Sequence, residues 1–244
     1  MESVLETGLS QLIERDSAIA ELIGGGRRQA VLDLLSKYIA EIERFNPAYG
    51  LVGTNDRQEL VIRHILDSLA PLGIICRLLA ANACTPTVGN ALQQAAIGAS
   101  PLQIADVGSG AGLPGIPLAI ALPHCKFTLI ERMGRRANFL RNTQAVLGLG
   151  NISVEESEME KFRAGQGRFQ LVTYRAFRPL EPKLFKKLFR LCAEGGTLAA
   201  YKGRREKIEE EMASLEKICG GWEAIPCPVP LLNEERHLLV IKPA

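Results

Sequence analysis

The stretch Ile104-Ala-Asp-Val-Gly-Ser-Gly-Ala-Gly-Leu-Pro-Gly-Ile-Pro117 decides how this chain folds. Ile104 to Val107 is apolar except for Asp106 and runs straight into glycine, the pattern of a short buried strand ending in a tight turn. Gly108, Gly110 and Gly112 alternate with small residues, so the backbone can take positive φ and lie against a ligand. Pro114 suits the first position of a helix, where a missing N–H costs little, and Pro117 falls in the same first turn. Strand, glycine turn and helix in succession build a nucleotide crevice at the carboxyl edge of an α/β sheet.

Two ligand classes use that crevice. The spacing G-x-G-x-x-G occurs at Gly110-Ala-Gly-Leu-Pro-Gly115, but a dinucleotide fingerprint should begin where the strand ends. Read from Val107, the pattern is Asp106-x-Gly108-x-Gly110-x-Gly112, with Leu113 where a third fingerprint glycine is needed. That form resembles the first motif of S-adenosylmethionine-dependent methyltransferases and favours methyl transfer over hydride transfer.

Downstream, strands and helices alternate. Phe127–Ile130 reads as a second strand ending at Glu131, an acid placed to accept hydrogen bonds from ribose hydroxyls. NAD and S-adenosylmethionine both carry a ribose, so Glu131 supports the fold without choosing the ligand. A helix from about Met133 to Leu147, a strand Ile152–Val154 and an acidic loop Glu155–Glu160 follow. Phe169–Tyr174 is the fourth strand and delivers Arg175 to the carboxyl edge, where a guanidinium can meet a carboxylate, a phosphate or a base edge. A helix to Cys192, a Gly195-Gly196 turn, a strand Thr197–Tyr201 and a helix Glu206–Ile218 continue the winding. Trp222–Val229 and His237–Ile241 lack an intervening helix and should pair antiparallel.

Upstream, the pattern is helical from Leu9 to Phe45, broken at Gly24-Gly-Gly26, and again from about Asn55 to Leu69, closed by Pro71 and Gly73. On the second helix Arg63, His64 and Asp67 share one face. No nucleophile elbow accompanies them, so a hydrolase triad is a poor reading and an ion-paired surface histidine the plain one. Cys76–Pro101 is rich in alanine and threonine and reads as a loop with a short helix near Ala91–Ile97.

The 244 residues are 47% hydrophobic and 23% charged, a soluble globular composition. No apolar run reaches membrane-spanning length and the N-terminus is acidic, so a cytoplasmic protein without a membrane partner is expected. Six scattered cysteines, without a C-x-x-C pair or zinc spacing, read as free thiols and give no metal site. The net charge is only +2, yet residues 126–207 hold 18 basic and 8 acidic side chains. That surplus suggests a footprint for a polyanion, although solvated helix faces would look the same.

Arg63-His-Ile-Leu-Asp-Ser68, Asp106 to Leu118, Arg175-Ala-Phe177, Lys202-Gly203 and Glu235-Arg-His-Leu238, in this order, resemble the bacterial 16S ribosomal RNA guanine-N7 methyltransferase G family, also called glucose-inhibited division protein B. The likeness covers roughly residues 30–242. It departs at Phe45-Asn46…Gly50-Leu51-Val52, where the family has Trp-Asn…Asn-Leu-Thr, and at Tyr174, where it has a small residue.

The resemblance implies an α/β fold: a Rossmann-like class I methyltransferase sheet over residues 101–244 with an antiparallel C-terminal hairpin. A helical extension over 1–100 precedes it, carrying an alanine-rich insertion near 74–101. It implies S-adenosylmethionine as cofactor and methylation of guanine N7 in the 530 loop of 16S rRNA, free or in an assembling small subunit, by a monomer. Cofactor contacts carry over to Gly108, Leu113, Met159, Glu160 and Arg175; Asp106, Gly110, Gly112 and Glu131 join them from the loop and ribose arguments. N7 bears a lone pair and no proton, so no general base is nominated, and Arg175 is a candidate for positioning the substrate. RNA-contact candidates are Arg63, His64, Arg135, Arg136, Lys186, Lys187, Lys202, Arg204, Arg205 and Arg236. The alternatives are a catalytically inactive RNA-binding or assembly factor on this fold and a nicotinamide-dependent oxidoreductase.

Overall fold

The computed structural model describes residues 3–82, 100–162, 167–175, 180–215 and 218–242. Seven strands form one sheet: β1 (Gln103–Val107), β2 (Lys126–Glu131), β3 (Ile152–Glu156), β4 (Phe169–Arg175), β5 (Cys192–Lys202), β6 (Gly221–Pro226) and β7 (His237–Lys242). Their spatial order is β3-β2-β1-β4-β5-β7-β6. The first five are parallel, and β7 lies antiparallel between β5 and β6. The order reverses between β1 and β4, so the crevice beyond their carboxyl ends is where such a sheet binds ligands.

The central strands are buried on both faces, as a parallel sheet requires. Ile104, Phe127, Leu129 and Leu171 face one layer of core, while Ala105, Val107, Ile130 and Val172 face the other. The first layer is covered by α7 (Gly115–Ala121), α8 (Gly134–Leu147) and the N-terminal helices. The second is covered by α9 (Pro182–Phe189) and α10 (Arg205–Ala213).

The N-terminal helices are α1 (Val4–Arg15), α2 (Ser17–Ile23) and α3 (Arg28–Tyr49). The chain then runs through α4 (Arg57–Leu60), a π-helical segment Val61–Leu66, α5 (Asp67–Leu69) and α6 (Leu72–Asn82). Local chemistry sets these boundaries. Ser3 and Glu6 form a capping box at the start of α1, and Asp16 caps α2. A Cβ at Gly24 would lie 2.4 Å from the Ala20 carbonyl oxygen, which explains the break before α3. Leu9, Leu35, Ile42 and Ile65 share one core with Ile104, Phe127 and Leu129, so the N-terminal helices pack as a layer of the sheet domain.

Several expectations need correction. Residues 76–82 are helix rather than loop: α6 runs through Asn82, because Ile75, Cys76 and Leu79 give it a buried face. The expected helix near Ala91–Ile97 and most of the alanine-rich insertion lie outside the described residues. The helical run Arg57–Ala81, with a window of mean hydropathy 1.5, is long and apolar enough by composition to cross a membrane, contrary to expectation. That window is 67% buried inside the protein, as in a core helix. Gly195-Gly196 lies within β5, at a shift of register with β4, because Gly196 packs against the Phe169 carbonyl too closely for a Cβ. Pro114 caps α7 from the position before its first residue. Glu155 and Glu156 close β3 rather than opening a loop.

Candidate active site

The glycine turn is held from three sides. Gly108, Gly110 and Gly112 have φ of 70°, 57° and 92°. At Gly112 a Cβ would also meet Ile116 Cδ1 at 2.4 Å, so only glycine fits there. From β2, Glu131 Oε2 accepts from the Gly110 N–H at 2.9 Å, and its Oε1 accepts from the Met133 N–H at 2.8 Å. From β1, the Asp106 side chain accepts from the Gly115 N–H at 3.1 Å, and its carbonyl accepts from Ser109 Oγ at 2.9 Å. From α3, the buried Tyr38 hydroxyl donates to the Ala111 carbonyl at 2.8 Å.

Asp106 is fully buried, and its Oδ1 has no hydrogen-bond partner among the described residues. Burial pushes its carboxyl up to about 7, while the Gly115 N–H and Ser109 act in the opposite direction.

Beside the turn, at the carboxyl ends of β1, β2 and β3, lies a cleft of about 560 Å³. It is lined by Val107, Gly108, Ile130, Glu131, Arg132, Met133, Arg136 and the run Ser157–Glu160. Four of the nine expected cofactor residues line it: Gly108, Glu131, Met159 and Glu160. Asp106, Gly110, Gly112 and Leu113 shape the turn from behind. Arg175 is elsewhere. Arg136, expected on RNA, belongs to this cleft: its Nη2 donates to the Gly50 carbonyl at 3.1 Å. Arg132, Met133, Ser157 and Glu158 were missed, although lying just past a strand's carboxyl end was signal enough to nominate them.

A second cavity of about 320 Å³ lies across the switch point, beyond β4, β5 and β7. It gathers Arg63, His64 and Asp67 from the helix, Arg175 from β4, Lys202 and Gly203 from β5, and Arg236 and His237 at the start of β7. Arg175 Nη1 donates to Asp67 Oδ2 at 2.9 Å and to the Arg63 carbonyl at 3.2 Å, and its Nη2 lies 3.0 Å from His64 Nδ1. His64 is therefore not an ion-paired surface residue, as the helix alone suggests. Burial, and then the Arg175 charge, push its imidazole down to about 4, so it is neutral near pH 7 and accepts at Nδ1. His237 Nδ1 lies 2.7 Å from the Gly203 carbonyl and is its donor.

Two departures from the family pattern find structural places. Tyr174 is buried against the second core layer, with Lys202 Nζ 5.6 Å above its ring. Lys202 is in turn held by both oxygens of Glu211 at 2.8 Å, so it is an anchored side chain in the wall of the second cavity. Gly50 ends α3 with φ 57°, and the Val52 N–H donates to Asn46 Oδ1 at 2.9 Å.

A parallel sheet finished by an inserted antiparallel strand, with a glycine turn after β1 and an acid at the end of β2, defines an S-adenosylmethionine-dependent methyltransferase. A solved structure of similar fold is a putative S-adenosyl-L-methionine-dependent methyltransferase from Methanococcus maripaludis, with a TM-score of 0.50 and 12% identity over 84% of this chain and 92% of that one. The profile of the rRNA small subunit methyltransferase G family matches residues 87–239. Curated relatives named ribosomal RNA small subunit methyltransferase G include one from Treponema denticola, 39% identical over 86% of this chain and 85% of its own. Another, from Klebsiella pneumoniae, is 37% identical over 86% of this chain and 87% of its own. The chain belongs to the rRNA small subunit methyltransferase G family.

The first cleft fits the cofactor. It is roomy enough, and Glu131 is held at the end of β2 with a second lone pair left on each oxygen. Because Tyr38 is tied to the turn, Tyr38→Phe should remove one buried hydrogen bond and leave the Ala111 carbonyl unsatisfied. The expected result is S-adenosylmethionine binding weakened about fivefold, or ~1 kcal/mol, in a folded protein. Calorimetry checks it; unchanged affinity rejects the coupling.

Proposed function

We propose that this protein methylates N7 of a guanine in the 530 loop of 16S rRNA, with S-adenosylmethionine in the first cleft and the target base in the second cavity. The observation that carries the reading is the pair of cavities on either side of one switch point. The second draws family-motif residues from four separate chain segments. Bound S-adenosylmethionine supplies a methyl group activated by its sulfonium.

The chain's own residues bind, orient and compensate charge. Glu131 grips the ribose, and the glycine turn sets how closely the ligand approaches. Arg175 meets the base or its phosphate. N7 has no proton to lose, so positioning carries the rate. Groups that hold the purine as it becomes positive act electrostatically. A neutral His64 adds no further charge to that site. The reading carries a cytoplasmic location, where the substrate is.

Mapping 7-methylguanosine in rRNA from cells with and without the protein tests the reading. An unchanged 530 loop would leave an RNA-binding or assembly factor.

Arg135 and Arg204 are exposed just past the carboxyl ends of β2 and β5, Lys186 is exposed in the last turn of α9, and none of the three has an ion pair to another described residue. Lys187 pairs with Glu160 at 3.5 Å and Arg205 with Glu209 at 2.9 Å. The three unpaired cations are therefore the better candidates for phosphate contact. Neutralising a true contact is expected to lower the log–log salt slope of RNA binding by roughly 0.7–0.9 without changing cofactor affinity. Unchanged slopes in all three single variants would move the RNA surface elsewhere.

A further inference from the structure

The second cavity contains a buried carboxylate that the proposed reaction leaves without a role. Asp67 is only 6% exposed and stands between two guanidinium groups. Its Oδ2 accepts from Arg175 Nη1 at 2.9 Å, and its Oδ1 lies 3.3 Å from Arg236 Nε. Two arginines converging on a small cavity repel one another, and each is a flexible chain. One carboxylate between them removes part of that repulsion and fixes both directions at once.

The rest of the cluster completes the alignment. The π-helical segment presents the Arg63 carbonyl to the second hydrogen of Arg175 Nη1, and neutral His64 takes one hydrogen of Nη2. Of the five N–H donors on Arg175, three are thus assigned within the protein. Nε–H and one Nη2–H have no partner among the described residues, and these are the donors a ligand in the cavity would take. Arg236 is held from its other side by the Glu234 carboxylate at 3.0 Å.

We propose that Asp67 is a positioning residue for methyl transfer: it locks Arg175 and Arg236 into a fixed fork that grips an acceptor oxygen of the target nucleotide. This rests on the second cavity receiving that nucleotide. Asp67 touches neither substrate nor cofactor in this arrangement, and it acts through the two arginines.

The test is single-turnover methyl transfer to the ribosomal substrate, with S-adenosylhomocysteine affinity measured on the same samples. Asp67→Asn keeps the shape and one acceptor but removes the charge and turns an amide toward Arg236. Its rate is expected to fall at least about 30-fold, with S-adenosylhomocysteine affinity within twofold of wild type. Asp67→Glu, which keeps the charge, should retain more rate than Asn. If Asn fails to fold, as loss of S-adenosylhomocysteine binding would reveal, Glu against wild type decides. In an Arg236→Ala background, Asp67→Asn should cost distinctly less than it does alone, because part of its work is already gone.

A folded Asp67→Asn variant within threefold of wild type overturns the proposal, as does an Asn effect undiminished in the Arg236→Ala background, or a Glu variant no faster than Asn. Arg175→Ala in the same assay separates the two levels. If it is slow while Asp67→Asn is fast, only the positioning role falls. If both are fast, the cavity does not receive the base.

Discussion

Gly110→Val is expected to abolish measurable S-adenosylmethionine binding, a loss of at least about 50-fold, while the far-ultraviolet circular dichroism stays close to wild type. Gly110 has φ 57°, a conformation that costs a β-branched residue on the order of 1–3 kcal/mol. The space around its missing Cβ is not crowded: the nearest atoms are the Gly108 carbonyl oxygen at 3.8 Å and Arg136 Nη1 at 4.0 Å. The damage therefore comes from the backbone. If the turn relaxes, the Gly110 N–H leaves Glu131, and the carboxylate that should meet the ribose loses one of its two tethers. Calorimetry and circular dichroism on one sample provide the check. Wild-type affinity in a folded variant would remove the turn from the cofactor site.

Arg175→Ala is expected to slow methyl transfer by at least about 100-fold, roughly 2.7 kcal/mol by the rate arithmetic. The side chain is nearly buried and makes three contacts that orient it into the second cavity. Its removal leaves the Asp67 carboxylate short of one partner and the substrate without its fork. Arg175→Lys should rescue poorly, since an ammonium cannot reproduce the planar donor pair. Single-turnover rates decide, and a variant within threefold of wild type rejects the role. Cofactor affinity on the same protein separates two assignments of this arginine. From its place across the switch point, affinity should change little; a large loss would return Arg175 to the cofactor, where the family resemblance puts it.

The second cavity shows why part of the site was hard to read. Arg63, His64 and Asp67 share a helical face, and spacing alone makes them a local ion-paired cluster. Their partners, Arg175 and Arg236, lie 108 and 169 positions beyond Asp67, and no periodicity links residues so distant in the chain. The direction of Arg136 was hidden for a related reason. An arginine on an amphipathic helix looks the same in sequence whether it faces water or a cleft, and only the Gly50 carbonyl at the end of α3 fixes its direction.

The sequence by itself determined the sheet, the turn and the antiparallel finish. Those features rest on interactions within a few residues: apolar runs that must be buried, glycines that alone tolerate positive φ, and an acid one strand beyond the turn. The antiparallel pairing of the last two strands also followed from local sequence, because no helix separates them, whereas the insertion of β7 between β5 and β6 did not. Only the tertiary structure decided that α3 clamps the glycine turn through Tyr38. It also brought residues from four separate segments to one cavity, and left Lys202 locked against Glu211. The physical reason is the same in each case. Hydrogen bonds and ion pairs between distant segments depend on which faces pack together, and packing is a property of the whole fold.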